Sequence, residues 1–480
     1  VKTRSSTRSA VHCAAVDLGA TSGRVIVGTW AKQRLTLSEV HRFPNQFRSL
    51  GGNDYWDLPG LWHEIRTGLT RARAGFPDLA SVGVDTWGVD HVLVDAAGRM
   101  VFPPHAYRDA RTQPGLRRLQ ASPRTLARLY RATGIPALFY NASLQLAETV
   151  SSYPAVREMA QRCLHLPDYF GFLLSGRMVN EVSIASTSQL LGVGELEWSR
   201  PALQHFGVPA QWFTPPVMAN TILGPVTGLP GWRGVRAIAV PGHDTAAAYA
   251  AMPADPDGND LYLSSGTWSL VGFENDAPLL SSAALRAQIA NERMGDGRFR
   301  PLTNVIGLWL LEQTLRDFSA RPDTAAEWTR LIAAARACPP PRELLDVSDP
   351  AFVNPASMRA AIDAQLKRRG LPVPRNLAAY VRLICDSLGR GHANALRNFE
   401  KLSGKSFRRI LMVGGGAKNA LLCQATADAA GLPLFAYSIE GSAVGNLASQ
   451  LIALGAVRDL AAFRAHLARQ LTATTYTPRR

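Results

Sequence analysis

The first patterned stretch, AAVDLGATSGRVIVGTW (residues 14–30), is a short apolar run, a Gly/Ser/Thr turn and a second β-rich run, which together predict a hairpin. RLTLSEVHRF (34–43) alternates apolar and polar positions, as a third, half-exposed strand does. DLPGLWHEIRTGLTRA (57–72) places Asp before Pro at a helix start and carries apolar residues at helical spacing. SVGVDTWGVDHVLVDAAGR (81–99) returns to strand character and closes on a polar, Gly-containing turn. Three strands, a helix and a strand predict a mixed α/β layer, not a plain Rossmann alternation.

Residues 105–235 are rich in helical patterns broken by Pro and Gly, and are expected to cap the first domain. AVPGHDTAAAYAAM (239–252) then leads into an alanine-rich helix with His243, Asp244 and Thr245 at its mouth, where Asp or Thr is expected to cap free backbone N–H groups. PADPDGND (253–260) has the composition of a linker. Beyond it, LYLSSGTWSLVGFE (261–274) repeats the strand, turn, strand design of the first hairpin. Two similar hairpins opening two halves suggest a duplicated domain with a cleft between the copies. The expected division is a disordered leader at 1–12, one domain over 13–252, the linker, and a second domain over 261–480.

In the second half, Leu377, Val381, Ile384, Leu388, Leu396, Phe399 and Leu402 keep a helical period, with Asn376 as cap and Gly404 as stop. RRILMVGGGAKNALLCQATADAAG (408–431) reads as a buried strand, three glycines and a helix, and LPLFAYSIEGSAVGNLASQLIALG as another strand, loop and helix.

Composition narrows the class. At 480 residues two domains are the default, and 46% apolar with 19% charged content fits a soluble globular protein. No uninterrupted apolar run reaches the length of a membrane span. Five scattered cysteines (Cys13, Cys163, Cys338, Cys385, Cys423) without zinc spacing suggest free thiols in a reducing cytoplasm. The basic, Ser-rich opening lacks the apolar core of a secretory signal. The net charge of +15 is spread along the chain without interleaved aromatics, which argues against nucleic acid and for solvated surface that attracts an anionic substrate.

Three stretches carry candidate chemistry. Gly19, Ala20, Thr21, Ser22 and Gly23 form a small, donor-rich turn suited to a phosphate, with Arg24 adding a positive charge. Asp17 stands where it could hold a divalent cation through water, or simply make a turn hydrogen bond. Gly414, Gly415 and Gly416 match neither a dinucleotide nor a Walker motif, and leave a flat platform for a purine or a crowded strand-to-helix turn. In DTWGVD (85–90), alternation puts Asp85 and Trp87 on one face, an arrangement for a sugar or for an aromatic core beside a solvated Asp.

Taken together and in this order, AAVDLGATSGRVIVG, SVGVDTWGVDHVLVD, HDTAAAYAAMP, LYLSSGTWSLVGFE, NVIGLWLLEQ and MVGGGAKNALLCQATADAAGLP resemble the FGGY carbohydrate kinases from about residue 14 to 455. DTWGVD and SSGTWSL-x-GFE point to the branch acting on L-rhamnulose, whereas the first hairpin is common to the actin-like superfamily. The resemblance implies two ribonuclease-H-like (actin-like ATPase) α/β domains with ATP and sugar in the cleft between them, sugar and phosphate on the first and nucleotide on the second. It implies ATP contacts at Ala20, Thr21, Ser22, Gly23, Arg24, Thr267, Glu312 and Gly415. It implies sugar contacts at Gly88, His243, Asp244, Thr245 and Asn304, with Asp244 as general base and Mg2+ arriving with ATP. The implied reaction moves the γ-phosphoryl group to the 1-hydroxyl of L-rhamnulose, with no nucleic-acid or membrane partner.

Departures from the family pattern concern rate and specificity. Glu312, followed by Gln313, stands where Gln is usual, and a carboxylate there repels ATP. Pro241-Gly242 precedes His243 in place of a less rigid pair, and Arg293-Met294 interrupt a usually glycine-rich stretch after Asn291-Glu292. The alternatives are a sibling kinase for L-fuculose, xylulose or glycerol, and a non-catalytic actin-like protein that binds sugar or nucleotide.

Overall fold

In a computed structural model describing residues 10–479, the chain forms two compact units that are not contiguous in sequence. The first comprises the chain up to Pro253 together with Asn275–Pro301 and Glu440–Gln470, and the second comprises Ala254–Glu274, Leu302–Ile439 and the chain from Leu471. Residues 1–9 of the expected leader lie outside the described residues, whereas Val11 and His12 already belong to the first strand.

The first unit is built on one sheet. β1 (Val11–Leu18), β2 (Ser22–Ala31) and β3 (Arg34–Pro44) form an antiparallel meander. β4 (Ser81–Thr86) lies parallel to β1, and of the last two strands, β5 (Thr221–Pro225) and β6 (Arg236–Ala239), β6 lies parallel to β4. The order across the sheet is β5-β6-β4-β1-β2-β3. The helix Leu58–Gly75 starts where expected, with Asp57 Oδ1 accepting from the Gly60 N–H at 2.9 Å. It buries Leu58, Leu61, Ile65, Leu69 and Ala72 against the sheet, a spacing of three and four that keeps one helical face apolar. Residues 105–235 do supply helices, and these enclose their own core around Leu119, Leu129, Leu144, Phe206 and Trp212.

The second unit repeats the antiparallel meander and the parallel strand beside it, with the order of its last two strands exchanged. β7 (Asp260–Ser265), β8 (Trp268–Gly272) and β9 (Phe299–Ile306) run antiparallel, the last pairing through Leu302–Ile306. β10 (Arg409–Val413) and β11 (Leu434–Ala436) extend the sheet in parallel from β7, and β12 (Thr474–Tyr476) closes it antiparallel. The duplication suggested by two hairpins is therefore a duplication of a whole three-plus-parallel sheet. The helix Leu377–Ser403 has the expected ends: Asn376 Oδ1 accepts from Ala379 N–H at 3.0 Å, and Gly404 stops it at φ 72°.

Two segments depart from the expected division. The polar stretch 253–260 is docked, not slack: Asp255 and Asp257 pair with Arg408, and buried Asp260 is gripped by Arg409 through Nε at 2.8 Å and Nη2 at 2.9 Å. The helix Gly441–Ala453, read with the second half, packs on the sheet of the first unit. Gln450 accepts from Ser81 Oγ at 2.7 Å and donates to Ala14 O at 2.9 Å. A Cβ on Gly445 would meet Ala247 O at 1.8 Å, so glycine is required where this helix crosses Asp244–Ala250.

Candidate active site

The carboxyl ends of the parallel strands β1, β4 and β6 gather the polar residues of the first unit, the edge at which open α/β sheets bind ligands. Asp17 sits one residue before the end of β1, directly between Arg24 on β2 and Asp85 on β4 in the pairing register. Register partners share a sheet face, so the three side chains form a row. After β6 the chain passes Gly242, whose carbonyl accepts from Thr86 N–H at 2.9 Å, and bridges Thr86 through His243. This delivers His243 and Asp244 to the same edge.

The row is electrostatically crowded. Arg24 donates to Asp17 Oδ2 through Nε at 2.9 Å and reaches Glu440 through Nη1 at 2.5 Å. Burial raises the Asp17 carboxyl, with Arg24 opposing and Asp244 adding to the rise. Asp85 is fully buried and its carboxyl is pushed well above the ordinary value by burial and then by the charge of Asp17. Asn446 Nδ2 donates to Asp85 Oδ2 at 2.7 Å, while Oδ1 has no partner among the described residues. Among the described residues no group of three or more His, Cys, Asp or Glu side chains is arranged to hold a metal ion.

Asp244 is the first residue of the helix Asp244–Ala250, and its side chain is 28% exposed. Thr245 Oγ1 donates to Asp244 Oδ1 at 3.1 Å, and His243 Nε2 lies 3.4 Å from the same oxygen. The expected Asp244 cap is not formed: His243 occupies the cap position without a side-chain bond to the helix. The Asp244 carboxylate is not engaged in capping and is close enough to buried Asp17 and Asp85 for its charge to raise both. The backbone beneath is held by Glu181, whose Oε2 accepts from Gly242 N–H at 2.9 Å and from Ser183 Oγ at 2.6 Å, while Ser183 Oγ accepts from His243 N–H at 3.3 Å. Burial pushes the Glu181 carboxyl up to about 7.

Gly88 approaches from the other side; a Cβ there would sit 3.2 Å from His243 Nε2 and 3.5 Å from Thr187 Cγ2. Val89 follows at φ 68°, a conformation β-branched residues adopt only under constraint, and its N–H donates to Thr187 Oγ1 at 3.1 Å. Because β4 ends at Thr86, the alternation expected through DTWGVD does not continue. Trp87 is buried in the core against Trp56, ring centroids 4.3 Å apart, and both indoles donate to Asp90 Oδ2. It is core, not a sugar platform.

The second unit gathers its own set. Thr267 is exposed at the tip of the β7–β8 hairpin, and the stretch 307–309 lies on that tip, with Leu308 N–H donating to Gly266 O at 2.8 Å. Glu312 stands in the first turn of the helix Trp309–Asp317, 3.4 Å from Arg321 Nε. Gly414 and Gly416 are crowded against Ser265, where added Cβ atoms would fall at 2.6 Å and 2.2 Å from Ser265 O and Oγ. Gly415 between them is exposed and has room for a Cβ, which would stand 3.5 Å from Leu308 and 4.0 Å from Ser265 O, so only Gly414 and Gly416 are required to be glycine by the packing. Asn304 is on β9 opposite Leu270. The structure thus brings Gly88, His243, Asp244 and Thr245 together in the first unit, with Ala20–Arg24 at its first hairpin, and Thr267, Glu312, Asn304 and Gly415 in the second.

Residues 12–248 match the N-terminal domain, and 261–454 the C-terminal domain, of the FGGY family of carbohydrate kinases. The chain belongs to that family. It is 40% identical over 469 residues to a rhamnulokinase of Klebsiella pneumoniae subsp. pneumoniae, covering 97% of this chain and 94% of the relative. It is 39% identical to a rhamnulokinase of Pectobacterium atrosepticum, covering 97% and 92%. In fold it is similar to Plasmodium falciparum glycerol kinase with ADP (TM-score 0.80, 12% identity, covering 98% of this chain and 94% of that one). It is likewise similar to a gluconate kinase from Lactobacillus acidophilus (TM-score 0.78, 13% identity, covering 98% and 94%).

This FGGY chain also uses residues that the sequence did not single out for the site. His243 Nδ1 lies 3.0 Å from Glu292 Oε2, and Arg300 donates to the same oxygen. Burial alone would raise the Glu292 carboxyl, but Arg300 and then His243 outweigh it, and it lies below the ordinary value. Arg293, read as a departure from the family pattern, is buried with its guanidinium on the carbonyls of Val193 (2.7 Å), Gly194 (3.2 Å) and Gly297 (2.6 Å). It pins the strand that carries Glu292.

Proposed function

We propose that the protein transfers the γ-phosphoryl group of ATP to the 1-hydroxyl of L-rhamnulose. The carrying observation is the partly exposed Asp244, held between His243 and Thr245 at the carboxyl edge of the first sheet. The near full-length likeness to rhamnulokinases supports the choice of sugar. Asp244 takes the proton of the attacked hydroxyl late, as bonding to phosphorus makes the alcohol acidic, so an ordinary carboxylate is strong enough. Gly88, His243, Thr245 and Asn304 hold the sugar. Ala20 to Arg24, Thr267 and Gly415 hold ATP at a position that Glu312 borders and opposes with its charge; Mg2+ carried by the phosphates would be met by Asp17 and would offset the charge that builds on the transferred group. Five free cysteines support a reducing, cytoplasmic setting.

The test is a panel of L-rhamnulose, L-fuculose, xylulose and glycerol with Mg-ATP, reading ADP release. L-Rhamnulose is expected to give the highest kcat/KM, and faster turnover of another acceptor overturns the assignment. Asp244→Asn should lose about 10²-fold or more in kcat while folding normally; a loss within twofold overturns Asp244 as the base.

A further inference from the structure

We propose that Asn45 is a positioning residue for the nucleotide: it takes the carbonyl of Gly19, so that the turn of the first hairpin does not close on itself and its N–H groups meet the phosphates of ATP. The inference rests on ATP being met by Ala20 to Arg24.

Asn45 follows Pro44, the last residue of β3, and is buried at 6% exposure. It reaches the turn of the first hairpin twice. Its Nδ2 donates to Gly19 O at 2.9 Å, and its backbone N–H donates to Thr21 O at 3.0 Å. Chemistry settles both directions, because a peptide carbonyl only accepts. The register explains the reach: Ser22 is opposite Pro44, so the residue after Pro44 lies beside the turn that leads into Ser22.

A two-residue turn between antiparallel strands ordinarily closes with two bonds exchanged by the residues that flank it. Here those residues are Gly19 and Ser22, and one of the two bonds is made, from Gly19 N–H to Ser22 O at 2.9 Å. The return bond from Ser22 N–H to Gly19 O is not made among the described residues, since that oxygen is turned to Asn45. In a trans peptide the C=O and the N–H that follows it point in opposite directions. With the carbonyls of Gly19 and Thr21 both on Asn45, the N–H groups of Ala20 and Ser22 both point away from it. Two N–H groups aimed to one side of a turn of small residues suit an anion, and the part of ATP with that chemistry is its polyphosphate. Take away the Asn45 amide, and Gly19 O returns to its ordinary partner, Ser22 N–H, which is then lost to the ligand.

Asn45→Leu, of similar size and without a donor, tests this. KM for ATP should rise about tenfold or more, as expected for losing an N–H to a charged oxygen, while KM for L-rhamnulose changes less than twofold. Inhibition by adenosine, which has no phosphate, should stay within twofold of wild type, whereas a general loosening of the fold would weaken it too. Amide hydrogen exchange resolved to Ser22 reads the turn directly: fast in the wild type alone, slowed by Mg-ATP, and slow in Asn45→Leu without nucleotide. Should Asn45→Leu not fold, Asn45→Ala removes the same amide without bulk and carries the same expectations. Wild-type KM for ATP in the folded variant, or equal weakening of adenosine and ATP, overturns the proposal. So does a Ser22 amide that is already slow in the nucleotide-free wild type, or one that stays fast in the variant. If Mg-ATP neither turns over nor slows exchange at residues 19–24, the ATP assignment falls instead, and Ser22 exchange in wild type and variant still decides whether Asn45 holds the turn open.

Discussion

Arg24 meets Asp17 Oδ2 with both Nε, at 2.9 Å, and Nη2, at 2.8 Å, across the register of the first hairpin. The third nitrogen, Nη1, goes to Glu440. These two carboxylates differ in what losing the arginine means, since Asp17 is 3% exposed and Glu440 43%. Asp17 has no water to fall back on, whereas Glu440 does. On the proposed ATP site, an incoming phosphate therefore competes with Glu440 for Arg24, not with Asp17.

Arg24→Met should lower stability by about 3 kcal/mol, because it strands a buried carboxylate, and Asp17→Asn combined with Arg24→Met should recover most of that loss. Urea unfolding of the two variants checks it. Glu440→Gln should change stability by less than about 1 kcal/mol, since that pair is largely exposed, and should lower KM for ATP by freeing Nη1.

Gly88→Ala tests the close approach to His243. The added methyl would stand 3.2 Å from Nε2, and the ring has no room to retreat because Glu292 and Arg300 hold its other side. A drop in kcat/KM for the sugar of about tenfold is expected, carried by KM. Thermal unfolding close to wild type would separate this from a folding defect.

These two sites also show what was legible in the sequence. The helix Leu377–Ser403 was readable to its last turn because its cap, its apolar period and its stop are all local. The hairpins and the His243–Asp244 helix mouth were readable for the same reason. The partners of His243 and Asp85 were not, since Glu292 is 49 residues from His243 and Asn446 is 361 from Asp85. No periodicity joins them; only the folded sheet does. Of the two readings left open for Trp87 the core one holds, because alternation lasts only as long as a strand and this one ends at Thr86. The segment Asn275–Pro301 and the helix Gly441–Ala453 return to the first unit without any compositional mark.

Glu312 and Arg321 give a test on the ATP side. Both are substantially exposed and 3.4 Å apart, so Arg321 only partly offsets the carboxylate where Gln was expected. Glu312→Gln should lower KM for ATP about two- to fivefold, and Arg321→Ala should raise it by a similar factor. Steady-state kinetics in low salt, where screening is weakest, gives the largest effect. Equal and unchanged KM values would place Glu312 outside the nucleotide's field.

Glu181 ties stability to pH in a direction opposite to a salt-bridged carboxylate. Its carboxyl moves from the ordinary 4.5 to about 7 on burial, so between these values the native state holds a proton that the unfolded chain has released. Its contribution to stability is fully present below pH 4.5 and is lost as pH rises through about 7, about 3 kcal/mol in all. Buried His91, His165 and His392, whose ring pKa values burial lowers to about 3, about 4 and about 3, act the other way and weaken the fold in acid below their ordinary 6.5. Those contributions are common to wild type and Glu181→Gln and cancel in the difference between them. Urea midpoints at pH 5 and pH 8 should therefore show the variant gaining on the wild type at the higher pH. Since Glu181 Oε2 holds Gly242 N–H directly behind His243, the same titration should loosen or tighten the sugar edge, and the pH profile of KM for L-rhamnulose should flatten in Glu181→Gln.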